Sequence, residues 1–180
     1  MKLCHRCLAA AVPPAEGAPD TIERVDVSTS SPALRLLGLD IGRKRIGLAW
    51  YDPADGMVCG LDTLQRKTRD EDLGRLARIA RERGASVFVS GLPMNMDGSE
   101  GPQAKFVRDF CSRLERTSGL PVRFQDERLT SVEAESRLKD AGWSLKKLLE
   151  EKRKGVVDRM AAVLLLEDYV AAQGLNGGLA

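Results

Sequence analysis

The sequence predicts an α/β fold: a mixed five-stranded sheet in the order 3-2-1-4-5, flanked by helices. Three observations predict it. Short apolar segments between residues 34 and 64 are joined by tight turns, which is the pattern of an antiparallel meander. Beyond them, apolar strands alternate with segments of helical periodicity, as in the crossover units of a parallel sheet. The segment 85–91, "ASVFVSG", is apolar throughout, as a strand covered on both faces should be.

Residues 1–33 contain "PPAEGAP" and "DVSTSSP", rich in Pro, Ser and Ala without a period, and read as a flexible extension. The organised part runs over 34–174, with 175–180 as a disordered tail. "ALRLLGLDI" is a first strand, "GRK" a tight turn and "RIGLAWYD" a second strand. "DPADG" places Pro and Gly where a hairpin turn needs them, and "MVCGLDTL" over 57–64 completes the meander as one strand. A helix over 70–84 follows, with Leu73, Leu76, Ile79, Ala80 and Arg83 on one side and Gly84 as its C-cap. After the strand at 85–91 and a long loop, Pro102 opens a helix striped by Phe106, Val107, Phe110 and Leu114, and Gly119 ends it. "LPVRFQD" is the fifth strand. Thr130 and Glu133 form a capping box for a helix over 131–142. A charged link over 144–155 leads into a last helix from about 156 to 173. This order of elements is the topology of the ribonuclease H-like fold.

At 180 residues the chain suits a single domain, and with 43% hydrophobic and 30% charged residues it has a globular composition. Its longest apolar run, "MAAVLLL", is too short to span a bilayer, so no membrane association is expected. A net charge of +2 does not mark a nucleic-acid binder, so any basic surface must come from local clustering. Four cysteines in a chain of this length argue against a disulfide scaffold, and a reducing cytoplasmic setting is the default. Cys59 and Cys111 read as buried packing. The "CHRC" of Cys4 and Cys7 lacks the second ligand pair that a zinc site needs. With 4% aromatic residues the chain has no stacking platform for single strands, and Trp50 and Tyr51 read as core and rim.

Chemistry concentrates in acids. Asp40 interrupts the apolar run "LLGLDI", where an uncompensated carboxylate is costly. Glu127, beside Asp126, follows the fifth strand, and Asp158 sits in the first turn of the last helix, next to the small residues Ala161 and Ala162. The 3-2-1-4-5 order brings Asp40, Glu127 and Asp158 to one edge of the sheet. Convergent carboxylates suit Mg²⁺ or Mn²⁺, and a pair of such ions supports phosphodiester cleavage without histidine or cysteine. Taken singly, Asp158 also fits an acid at a helix N-terminus and Glu127 a solvent-facing loop acid. Adjacent strand residues face opposite ways, so the choice between Asp126 and Glu127 stays open, with Glu127 preferred.

Cations cluster nearby. Arg43, Lys44 and Arg45 follow Asp40 and suit phosphate holding, or else a solvated hairpin tip. The glycine-rich loop over 91–101, with Asn95 and Ser99, is longer than ordinary strand–helix connections and ends at a helix N-terminus where an anion can sit. Arg128 follows Glu127, while Arg153 and Lys154 belong to a lysine-rich link that is either a flap over nucleic acid or a solvated helix face.

Four blocks, "LDIGRKRIGLA", "GLPMNMDGSEGPQA", "DERLTSVEAE" and "RKGVVDRMAAVLLLEDY", resemble the YqgF family in content and order. The resemblance spans residue 36 to about residue 169 and implies a ribonuclease H-like fold related to the RuvC resolvases. It further implies a metal-dependent nuclease that matures the 5′ end of precursor small-subunit ribosomal RNA, with Asp40, Glu127 and Asp158 as catalytic and metal-holding acids. An older label of the family is Holliday junction resolvase. Its chains usually begin just before the first block, so residues 1–33 are an addition here. The expected partners are structured RNA, namely precursor ribosomal RNA or the small subunit, or branched DNA, bound by a monomer or weak homodimer. Two other classes compete. An actin-like ATP-handling protein would need two such domains, and a non-catalytic ribosome-assembly factor would be expected to have lost one of the acids.

Overall fold

The computed structural model describes residues 34–95, 97–126 and 155–175. The expected helix over 131–142 with its Thr130–Glu133 box lies outside the described residues, as do residues 1–33, Glu127, Arg128, Arg153 and Lys154.

The meander forms as β1 (Leu36–Ile41), β2 (Arg45–Asp52) and β3 (Met57–Gly60), followed by the two-residue β4 (Leu64–Gln65). Next come α1 (Arg69–Arg83), β5 (Val87–Leu92), α2 (Pro102–Ser118), β6 (Val122–Asp126) and α3 (Val156–Ala172). The sheet order is β3-β2-β1-β5-β6, with β2 antiparallel to its neighbours and β1, β5 and β6 mutually parallel. This is the ribonuclease H-like arrangement that the sequence predicts.

One expected strand is broken. Between the pairs Ala49↔Gly60 and Ile46↔Leu64, β2 supplies Gly47 and Leu48, whereas the facing chain supplies Leu61, Asp62 and Thr63. The extra residue interrupts the ladder in the manner of a bulge and turns the segment 57–64 into β3 and β4. Leu61 N–H still donates to Leu48 O at 2.8 Å across the break. On the edge strand β3, Cys59 is only half-buried, which corrects the expectation of a core position, while Cys111 is buried.

The three described helices match the sequence reading, with small shifts at their ends. Thr68 is the N-cap of α1 and Glu71 completes its capping box, so the helix begins one residue earlier than the apolar pattern indicates. Gly84 and Gly119 close α1 and α2 in the left-handed conformation. Strand alternation divides the core in two. Leu37, Leu39, Ile46, Leu48, Trp50 and Phe88 pack with α1 and α2 on one face. Leu36, Ala49, Tyr51 and Val89 pack with Ala162, Leu165, Leu166 and Val170 of α3 on the other. Each fully buried side chain of this kind contributes about 1.5–3 kcal/mol. Among the described residues no helix is long and apolar enough to cross a membrane.

The α3 face is shaped by missing side chains. A Cβ on Gly47 would lie 2.0 Å from the backbone oxygen of Asp158, so the first turn of α3 rests directly on β2 there. Replacing Gly47 by Ala is expected to destabilise the protein by about 2 kcal/mol or more, because backbone must move. Gly74, exposed within α1 with nothing within 4 Å of an added Cβ, is the contrast. Its replacement by Ala should stabilise by about 0.5–1 kcal/mol. Urea unfolding of the two variants beside the wild type checks both signs.

Candidate active site

β1 carries Asp40 on the face that α3 covers, one residue before the strand ends. Its antiparallel partner is Gly47, the residue on which the first turn of α3 rests. That contact brings Asp158 beside Asp40. The start of α3 is fixed as well: its N-cap Gly155 has φ of 84°, and Thr63 Oγ1 donates to the Gly155 carbonyl at 2.7 Å. Arg45 Nε donates to Asp158 Oδ2 at 2.6 Å, both side chains being largely buried. One residue on, Arg159 lies over Gly60 and reaches Asp62 at 3.0 Å.

Asp40 is only half-open to solvent, and among the described residues its carboxylate accepts no hydrogen bond and has no cationic partner. Burial first, and the charge of Asp158 second, push its pKa up to about 7. Asp158, by contrast, has its charge met by Arg45. The pair is thus one compensated and one uncompensated carboxylate at the C-terminal edge of the parallel strands. Both offer only oxygen donors, the set that hard divalent cations take. Among the described residues no group of three or more acidic, histidine or cysteine side chains suited to a metal is present. Glu127, the expected third acid, lies outside them.

Asp126 ends β6 in register with Leu92 and shares a sheet face with Ser90 and Phe124, the face covered by α1 and α2. It is therefore on the side of the sheet away from Asp40. In the loop after β5, Asn95 Nδ2 donates to Ser99 Oγ at 2.9 Å, and Ser99 Oγ donates to Asp97 Oδ1 at 2.6 Å. These groups bind one another and close the loop, along with Asn95 N–H donating to Ser99 O.

The basic turn divides. Arg45 points to Asp158, whereas the exposed Arg43 and Lys44 line a cleft of about 510 Å³ with Arg66, Lys67, Gln103 and Phe106. Sequence reading missed Arg66, Lys67 and Gln103. The signal available was the basic step "RK" directly before the capping box of α1.

The sequence model of the family described as "RuvX: Holliday junction resolvase" matches residues 34–172. A protein of Moorella thermoacetica is 42% identical over 144 residues, covering 80% of this chain and 99% of its own length. One from Anaeromyxobacter sp. (strain Fw109-5) is 43% identical over 76% of this chain and 96% of its own. One from Picosynechococcus sp. is 45% identical over 74% of this chain and 90% of its own. All three bear the name "Putative pre-16S rRNA nuclease". Among solved structures, Thermus thermophilus RuvC in complex with a Holliday junction substrate overlaps with a TM-score of 0.47 at 11% identity. The overlap covers 78% of this chain and 96% of that one.

The electrostatics of Asp40 generate a pH prediction for the protein in EDTA. Its folded pKa lies above the usual carboxylate value of 3.8, so its contribution favours the folded state below about pH 4 and is lost as pH rises through 7. Asp40→Asn should therefore nearly match the wild type in stability at pH 4 and exceed it by about 4 kcal/mol at pH 8. Asp158→Asn should lower the Asp40 pKa, read from the carboxyl chemical shift in an NMR titration, because the second cause of the shift is removed. An Asp40 that titrates near 4 in the wild type would contradict both statements.

Proposed function

The chain belongs to the RuvX family, the group its motifs resemble under the name YqgF, and on that premise we propose that it is a nuclease processing the 5′ end of precursor 16S ribosomal RNA. The observation that carries this reading is the meeting of Asp40 and Asp158 at one sheet edge, with no cation paired to Asp40 among the described residues. A buried carboxylate with no partner is costly, and a site that accepts a cation is the economical reason to keep one. Supporting it, relatives over 40% identical along nearly their whole length carry the pre-16S name.

In this reading Asp40, Asp158 and Glu127 hold two Mg²⁺ or Mn²⁺ ions, which supply water activation and stabilisation of the leaving oxygen. Glu127 is assigned as the third acid in preference to Asp126 because Asp126 stands on the opposite face of the sheet from Asp40. Arg45 sets the orientation of Asp158 through its 2.6 Å hydrogen bond. Arg43 and Lys44 hold the phosphate backbone at the turn, and Arg128, Arg153 and Lys154 add to that contact. Asn95 and Ser99 keep the loop after β5 in shape and contact the nucleic acid from it. The nuclease domain comprises residues 34–174 and works in the cytoplasm on precursor RNA or the small subunit, as a monomer or weak homodimer.

A second reading, cutting of four-way DNA junctions, is favoured by the family's own description. One experiment separates the two. End-labelled RNA spanning the 5′ end of precursor 16S RNA and a four-way DNA junction are each incubated with Mg²⁺ or Mn²⁺ and resolved on gels. RNA cutting is expected, reduced at least about a hundredfold in Asp40→Asn, Asp158→Asn and Glu127→Gln. Asp126→Asn should retain most of the activity. Cutting of the junction alone would transfer the function to DNA. RNA binding without cutting under either metal would make the protein an assembly factor.

A further inference from the structure

The cleft of about 510 Å³ beside the β1–β2 turn is not explained by the two acids. Its walls are Arg43 and Lys44 from the turn, Arg66 and Lys67 from the segment before α1, and Gln103 and Phe106 from the first turns of α2. None of these lining residues is acidic, and three of the four cations are exposed.

The fourth is held rigidly. Arg66 Nε donates to Asp72 Oδ2 at 3.0 Å, and Asp72 is fully buried. The guanidinium lies 5.0 Å from the ring centres of both Phe106 and Phe110, and its Nη1 donates to the Gly42 carbonyl at 3.0 Å. Burying such an ion pair gives little net stability, so its use lies in what it positions. Asp72 and Gly42 occupy two of the five N–H donors of Arg66, and among the described residues no other acceptor takes the rest. Asp72 cancels one positive charge, which leaves Arg43, Lys44 and Lys67 as a net excess over an aromatic wall. The opening turn of α2 adds to it: no acid stands there, and its N-cap Gly101 provides no side-chain cap.

The cleft is also fastened to the active strand. Gln103 Nε2 donates to the Ile41 carbonyl at 3.5 Å and its Oε1 accepts from Arg43 Nε at 3.4 Å. With the Arg66 contact to Gly42, both residues that follow Asp40 are tied to cleft residues. The cleft lies on the α1–α2 side of the hairpin tip, whereas Asp40 and Asp158 lie on the α3 side. An anion with several charges along its length matches four cations spread over such an opening, and a fixed guanidinium suits phosphate.

We propose that this cleft is a phosphate-binding subsite which seats a backbone phosphate of the strand that Asp40 and Asp158 act on, beyond the hairpin tip from the cut. The proposal rests on the nuclease reading and extends its contact surface to Arg66, Lys67 and Gln103. Phe106 supplies an apolar wall for the attached ribose or base.

The test measures affinity for a synthetic RNA spanning the 5′ end of precursor 16S RNA, in EDTA so that nothing is cut, over a range of salt concentrations. Lys67→Ala and Arg43→Ala are compared with Arg78→Ala, an exposed cation on α1 outside the cleft. All three positions are exposed, and unchanged melting temperatures check that the variants fold. Each cleft variant should bind about fivefold more weakly at moderate salt and flatten the plot of log K against log salt by about one. Arg78→Ala should keep the wild-type slope. Equal losses in all three variants, or a wild-type slope in the cleft variants of a protein that binds and cuts RNA, would overturn the subsite and leave the nuclease intact. A wild type that neither binds nor cuts RNA removes both.

Discussion

The contact on which the rest of this structure depends is the seating of the first turn of α3 on Gly47. No side chain fits between that glycine and the Asp158 carbonyl, so helix and hairpin meet backbone to backbone. Because Gly47 is opposite Asp40 in the β1–β2 register, one contact sets both the height of the helix over the sheet and the meeting of the two acids. Gly38 and Gly60 extend the same low surface, receiving Leu166 from α3 and the Arg159 stem and Val163 respectively. Packing and chemistry are therefore the same constraint seen from two sides.

That arrangement has an energetic cost. A carboxylate desolvated beside another carboxylate opposes folding at neutral pH, and among the described residues a cation is paired with Asp158 and none with Asp40. The two apolar layers carry the difference, one under α1 and α2 and one under α3. A sequence optimised for stability alone would place an apolar residue at position 40. Its absence agrees with the view that local rules are broken where function demands it.

Much of this was legible in the sequence because period and punctuation agreed. The turn chemistry, Pro102, Gly84 and Gly119 fixed the element boundaries closely, and the strand order followed from the order of elements. Asp40 was visible as a polar intrusion into an apolar run, and Asp158 by its place before Ala161 and Ala162. Three things were not legible. The break at Leu61–Thr63 depends on one surplus residue opposite β2, which apolar patterning does not count. The pairing of Arg45 with Asp158 spans 113 positions, so nothing local distinguishes Arg45 from its neighbours Arg43 and Lys44. The burial of Asp72 inside α1 is invisible because an acid in a first helical turn already has an ordinary explanation in the helix dipole.

The placement of Asp158 on α3 also bears on how the protein comes into being. The chain is made from its N-terminus, and a domain folds as a unit once its parts are present. The sheet, α1 and α2 are all complete in sequence before the last helix begins, and Asp40 is among the earliest residues of the fold. A growing chain thus carries one acid of the site long before it carries the other. Until α3 settles on Gly47 the two cannot meet, and the α3 face of the sheet lacks its cover. The order of the elements thus withholds the paired acids from the nascent chain until the segment that forms α3 has been made.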